Sequence, residues 1–263
     1  MSRSNPNESL QNVATKFFDW NSDDSCFKYF DKTLGTPDKD GKVKGENVNV
    51  KLPFTFLVLD VLTTIKGYNE PEGKSYWSNE IRDTRTDILV VKSKSGVEAT
   101  GTYAQVKAKL ANSGAKYVQS VYIAYKEGKE LVIANIQMKG ASGSAFMDFA
   151  KDNKIYECAI TVRKSIPKKK GRNNYTEPVF EATKITEATN EQAKELDKKL
   201  QEYLTACFAR NASNPTPAEE VKSEPAKETK SEPKANGRSA KKEEPEEEEV
   251  ADIDLDDSDD MPF

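Results

Sequence analysis

Two stretches of the chain bring cations and aromatic rings close enough to act together. "RKSIPKKKGRNNY" at 163–175 gathers Arg163, Lys164, Lys168, Lys169, Lys170 and Arg172 and ends on Tyr175. "GKSYWSNEIRDTR" at 73–85 sets Tyr76 and Trp77 among Lys74, Arg82 and Arg85. Ammonium and guanidinium groups take up phosphate oxygens and release the counterions condensed on them. Indole and phenol rings offer surfaces on which unpaired bases stack, each worth roughly 1–3 kcal/mol and largely indifferent to base identity. A single-stranded polyanion that carries bases is what this combination can hold. Tyr122, in "KYVQSVYIAY" at 116–125, adds another ring, and it faces opposite to Tyr117 and Tyr125 because side chains alternate along a strand. One of those faces would be groove and the other core, and the pattern leaves open which.

Catalytic chemistry is poorly supplied. The chain has no histidine, so the commonest general base and metal ligand are missing. Its three cysteines, Cys26, Cys158 and Cys207, are far apart and odd in number, which suits a reducing compartment rather than a disulfide framework or zinc knuckle. Asp60, Asp83 and Asp87 read as solvated or capping residues rather than a magnesium cluster. No catalysis, cofactor or metal is expected. The first residues lack the apolar segment of a secretory signal, and the longest apolar run, "FTFLVLDVL", is too short to span a bilayer. A soluble, intracellular protein with no membrane partner is expected.

Charge is unevenly distributed. Residues 213–263 carry 7 Lys/Arg against 17 Asp/Glu, a net of -10, while residues 1–212 carry 33 against 27, a net of +6. A basic body joined to an acidic arm points to a polyanion partner for the body and a competitor for it in the same chain. The boundary falls near Asn211. Residues 212–263 hold six of the twelve prolines, the repeat "KSEP" at 222–225 and 230–233, and a single aromatic residue, Phe263. Such a segment buries too little apolar surface to offset the entropy of ordering it, so 212–263 is expected to be a disordered linker and tail.

The body must position the two basic-aromatic stretches. "VNVKLPFTFLVLDVLTTI" at 48–65 reads as one long bent strand, with Pro53 marking an edge. "KYVQSVYIAY" and "ELVIANIQM" flank "KEGK" as a hairpin. "KIYECAITVRK" at 154–164 and "TEPVFEATKI" at 176–185 form a second hairpin around the basic stretch as its loop, and "DILVVKSK" at 87–94 is a weaker strand. Thr102 with Gln105 marks one helix start, "SGSAFMDFAK" at 142–151 gives a short helix, and Thr189 with Gln192 starts a third. That last helix, over 189–209, carries Leu196, Leu200, Leu204 and Phe208 at helical spacing and is expected to dock on the body. Strand, long insertion at 66–116, hairpin, helix, hairpin is the order of an OB-fold. The expected fold is therefore mainly β, an OB-like Greek-key barrel over 1–211 with an enlarged connection between its first two strands. Both basic-aromatic stretches then fall on the rim where that topology binds oligonucleotides.

The sequence closes on "DIDLDDSDDMPF". A solvating tail gains nothing from Met261, Pro262 and Phe263. Pro262 stiffens the backbone, Phe263 supplies a ring beside a carboxylate, and Asp256, Asp257, Asp259 and Asp260 supply charge, a set suited to an apolar pocket rimmed by cations. This ending resembles that of bacterial and phage single-stranded DNA-binding proteins, with Met261 in the aliphatic place before Pro262 and Phe263. The body, with its insertion at 66–116, its residues 1–47 and its last helix, looks more like the elaborated domains of the phage-encoded members. The resemblance implies a protein that coats single-stranded DNA in a bacterial or phage-infected cell. It also implies recruitment of replication, recombination and repair enzymes through the tip. An RNA-binding OB protein shares the groove logic, and an acidic-tailed adaptor or chaperone that touches no nucleic acid shares the tail.

Overall fold

The computed structural model describes residues 12–37 and 43–213. The expected arm, with Asp256, Asp257, Asp259, Asp260, Met261, Pro262 and Phe263, lies outside the described residues.

Three short strands open the fold: β1 (Phe17–Asn21), β2 (Cys26–Asp31) and β3 (Glu46–Val50). The long strand β4 (Phe54–Asn69) follows, then β5 (Lys74–Ser78), β6 (Leu89–Ser93), β7 (Gly96–Gly101) and the short helix α1 (Tyr103–Lys109). The second half comprises β8 (Ala115–Glu127), β9 (Glu130–Met138), α2 (Gly140–Asp152), β10 (Ala159–Lys170), β11 (Asn173–Thr183) and α3 (Glu187–Ser213). The fold is mainly β with a C-terminal helix, as the sequence pattern predicts. The first hairpin and the helix after it fall where that pattern puts them, whereas the second hairpin starts only at Ala159 and stays paired through the basic stretch expected to be its loop.

Several elements differ from expectation. The apolar run at 48–65 is two strands, β3 and β4, and Pro53, which has no N–H for a ladder, marks the gap between them rather than an edge of one. Residues 66–116 hold three strands and a helix instead of one strand and a helix, and β1 and β2 lie in a segment with no clear period. α3 starts at Glu187 rather than at Thr189. Thr186 is its cap, its Oγ1 accepting from the Thr189 backbone N–H at 3.3 Å.

β4 organises the sheet. β8 runs antiparallel along one of its edges from Phe56 to Gly67. The other edge is shared, by β10 at Phe54–Leu57, by an isolated bridge to Ile81 at Thr63, and by β5 at Lys66–Asn69. A bulge between Val58 and Asp60 lets one strand serve these differently oriented partners. At its far end β4 passes so close to β8 that only glycine fits. A Cβ on Gly67 would lie 2.1 Å from the Gly114 carbonyl oxygen. The strand order is β3-β2-β1-β9-β8-β4-β5-β6-β7, with β10 on β4 and β11 on β10. Among the described residues these ladders form an open sheet and do not close into a barrel, because β1 pairs in parallel with β9 on the edge where closure would occur. Side chains span the remaining gap. Trp20 Nε1 donates to the Thr176 carbonyl at 2.9 Å, and Thr176 Oγ1 donates to the Ser22 carbonyl at 2.6 Å.

Three apolar clusters result from this layout. Phe18, Phe27, Phe54, Phe56, Ile123, Ile136 and Ile160 fill the inner face of the curled sheet, where α2 adds Phe146. Ile65, Tyr76, Leu89 and Val91 pack beneath Val106 of α1. On the outer face of β4, β8 and β9 lie Leu57, Leu62, Tyr122, Ala124 and Ile133, covered by Ala193, Leu200 and Leu204 of α3. Each fully buried Leu in that stripe contributes roughly 1.5–3 kcal/mol. Leu200→Ala, at a side chain with no exposure, is expected to lower stability by about 2–5 kcal/mol in urea denaturation. A loss under about 1 kcal/mol would contradict the docking of α3.

Candidate nucleic-acid interface

Antiparallel register puts directly opposed residues on one face of a sheet. Lys92 on β6 opposes Trp77 on β5, Trp77 opposes Lys66 on β4, and Lys66 opposes Lys116 on β8. Four strands thus present a row of three lysines around an indole that is 41% exposed. The row lies on the outer face of the sheet, beyond the part that α3 covers, because Lys66 and Leu62 share a side of β4. Tyr68, exposed near the tip of the β4–β5 hairpin, is on the same side as Lys66.

Lys66 is the centre of the row. It is half-buried, and its Nζ reaches over the ring of Phe17 on β1 at 5.8 Å from the centroid. Among the described residues it has no carboxylate within ion-pair distance, since the nearby Asp19 is taken by Lys139 at 3.0 Å. Burial holds its pKa below the ordinary lysine value, with Glu80 and Asp19 working against that depression and Lys139 adding to it. Glu80 itself is engaged in the floor beside the row, where its carboxylate accepts from Ser120 Oγ and from Tyr122 OH, the latter at 2.8 Å. A partly desolvated cation with no ion pair among the described residues, flanked by two aromatic rings, is a ready place for a phosphate.

The second basic feature is a ribbon, not a loop. β10 and β11 stay paired through Lys168↔Tyr175, Lys169↔Asn174 and Lys170↔Asn173, and turn at Gly171–Arg172. A register shift between Val162 and Ser165 bends the pair out of the main sheet, and only Ala159–Val162 pair with β4. Lys168 is paired with Glu177 at 2.9 Å and Arg163 with Glu181 at 3.1 Å. Lys164, Lys169, Lys170 and Arg172 are exposed and have no ion pair among the described residues. Tyr175 is half-buried on the ribbon face that carries Lys168 and Lys170.

Other residues singled out from the sequence lie elsewhere. Tyr76 is buried in the cluster under α1, and Lys74, on that same side of β5, pairs with Glu98 at 2.8 Å. Tyr122 is 2% exposed because α3 lies over it, and burial, with Glu80 beside it, pushes its phenol pKa well up. Tyr125 belongs to the inner core, and Tyr117 packs edge-on against Tyr103 at 5.1 Å. None of the three tyrosines of this strand forms an open groove floor. Arg82 is a clamp. It meets Asp60 at 2.7 Å, donates to Gln201 of α3 at 2.8 Å, and lies over the Phe208 ring at 5.6 Å. Arg85 is exposed on a turn where Asp83 accepts its backbone N–H at 2.7 Å, and Asp87 accepts the N–H groups of Arg82 and Asp83 at 3.0 Å.

Lys66, Lys92, Lys116 and Phe17 escape a reading by motif because they are scattered over four strands. Only the register of β4 with β5 and β8 would have brought the three lysines to Trp77. The chain matches no family model, no curated protein and no solved structure. No helix among the described residues is long and apolar enough to cross a membrane.

The depressed Lys66 pKa would make the capture of an anion at this row sensitive to pH. A bound phosphate favours the protonated amine, so affinity is expected to fall as pH rises through the lowered Lys66 pKa, where the free protein gives up that proton. Lys66→Arg keeps its charge throughout and should hold its affinity in that alkaline range. Titrations of both proteins with an oligonucleotide at stepped pH check this, and parallel pH curves would rule out Lys66 as a contact.

Proposed function

We propose that the protein binds single-stranded DNA without sequence preference, coats and protects it, and recruits replication, recombination and repair enzymes through its acidic C-terminal tip. The observation that carries the reading is the cross-strand row of Lys92, Trp77, Lys66 and Lys116 beside Phe17. Cations spaced by rings, on an open sheet face, match a polymer that alternates phosphates with unpaired bases. A duplex hides the faces of its bases, whereas a single strand can lay them on Trp77 and Phe17.

The order of elements supports an OB-like domain. β4, β8 and β9 form the antiparallel meander, α2 follows, and β10 returns to β4 with β11 beside it. In this reading β5, β6, β7 and α1 are the enlarged connection between the first two strands, and they carry Trp77. β1 occupies the edge on which a closed barrel would need β11. The preference for DNA rests on the likeness of "DSDDMPF" to the tips of single-stranded DNA-binding proteins, and Phe263 with its acidic neighbours is the proposed contact for partner enzymes.

Titration with oligothymidylate at two ionic strengths tests the reading. The emission of Trp77 should be quenched, and Trp77→Ala should weaken binding by about 1–3 kcal/mol. No binding at low salt would overturn it, and equal competition by matched oligouridylate would move it to RNA. The arm generates a second expectation. Deleting Asp252–Phe263 should tighten binding at low salt, with the gain shrinking as salt rises, because the segment competes for the same cations. A gain that is independent of salt would remove that competition from the account.

A further inference from the structure

We propose that the ribbon formed by β10 and β11 enters a groove of duplex nucleic acid, so that the protein seats itself at junctions between single and double strand. This rests on the single-strand reading of the Trp77 row, to which it adds a second, differently shaped surface.

The two basic surfaces differ in what surrounds their charge. The Trp77 row is a floor, with cations and rings on one side of a sheet. The ribbon is a blade. Its base is braced where Ser22 and Trp20 bond to Thr176, and three residue pairs project beyond that brace before the turn at Gly171–Arg172. Three pairs extend about 10 Å at the usual rise of a strand. Register assigns Lys168, Lys170 and Tyr175 to one face of the blade and Lys169 with Asn174 to the other, with Arg172 in the turn.

Cations on opposite faces of a thin element need anions on both sides. One single strand offers one row of phosphates. A duplex groove offers two rows facing each other, and the major groove, about 12 Å wide and about 8.5 Å deep, admits a two-stranded ribbon. The blade also has little with which to stack bases. Its one aromatic residue, Tyr175, is half-buried, and Asn173 and Asn174 beside the turn are exposed amides suited to phosphates and base edges. No carboxylate of the described residues pairs with Lys169, Lys170 or Arg172. Lys168 alone is held back, by Glu177.

Fluorescence anisotropy with three labelled probes tests the proposal: oligothymidylate, a blunt duplex, and that duplex carrying the same oligothymidylate as an overhang. The wild-type chain is expected to bind the overhang probe at least about tenfold more tightly than oligothymidylate, since each added phosphate contact strengthens binding at moderate salt. The variant with Lys168, Lys169, Lys170 and Arg172 all changed to Ala should lose that advantage while binding oligothymidylate within about twofold of wild type, and the salt slope for the overhang probe should fall by about 3 to 4. These side chains are exposed on a ribbon outside the core, and an unchanged melting temperature would establish that the variant folds. Equal losses on oligothymidylate and on the overhang probe would overturn the proposal and return the ribbon to the single-strand path. So would a wild-type chain that makes no distinction between the two probes. Failure of the underlying reading looks different, because wild type would then not bind oligothymidylate and Trp77→Ala would change nothing.

Discussion

The burial of one apolar helical stripe decides which surface the protein has to offer. Ala193, Leu200 and Leu204 cover Leu57, Leu62, Tyr122, Ala124 and Ile133 on the outer face of β4, β8 and β9. Without α3 that face would be an open apolar patch centred on a buried tyrosine. With α3 in place, the open part of the face begins only where β4 runs past the helix, beyond the buried Thr64 at the half-buried Lys66, and widens over β5 and β6. The clamp of Asp60, Arg82 and Gln201 fixes the line between the two regions. Asp60 is almost fully buried, and leaving it without Arg82 would strand a charge under the helix. Helix docking and the placement of the basic row are therefore parts of one arrangement.

The same arrangement sorts the cations. Lys74, Arg82, Arg163 and Lys168 all belong to conspicuous sequence clusters, and all are held by carboxylates. Lys66, Lys92 and Lys116 stand alone in the sequence, yet register gathers them round Trp77. Clustering along the chain thus measures local charge, whereas availability depends on which carboxylates the fold brings near. For Lys66 the fold brings Glu80 and Asp19 within electrostatic range but commits each to another partner.

How much was legible follows from the range of each signal. The hairpin of β8 and β9 shows in the alternation of its strands and in Gly128, whose positive φ suits the tight turn. The capping box at Thr102 holds, with Gln105 Oε1 accepting the Thr102 N–H at 2.9 Å. The apolar spacing of α3 predicts that it docks, but not on which face, because a stripe carries no address. That gap leaves open whether Tyr122 faces a groove or lies beneath a helix. Trp77 and Tyr76 are adjacent, so a strand must send them to opposite faces, and only the packing of α1 settles which one is buried. β1 and β2 were illegible because "FFDWN" and "CFKYFD" are short and dense in aromatics without a clean period. Parallel pairing of β1 with β9 joins segments more than a hundred residues apart, beyond any local pattern.

The register shift between Val162 and Ser165 separates β10 into two parts with different obligations. Before it, the strand answers to β4 and the core; after it, only to β11. Evolution can therefore lengthen or shorten the outer part without disturbing the packed interior, but only in matched steps of two residues per strand. A single pair inserted at the base would turn every side chain beyond it to the reverse side and exchange the amino acids that the two flanks display. The ribbon's reach is free to drift in such a lineage, while the parity of its lysines is not.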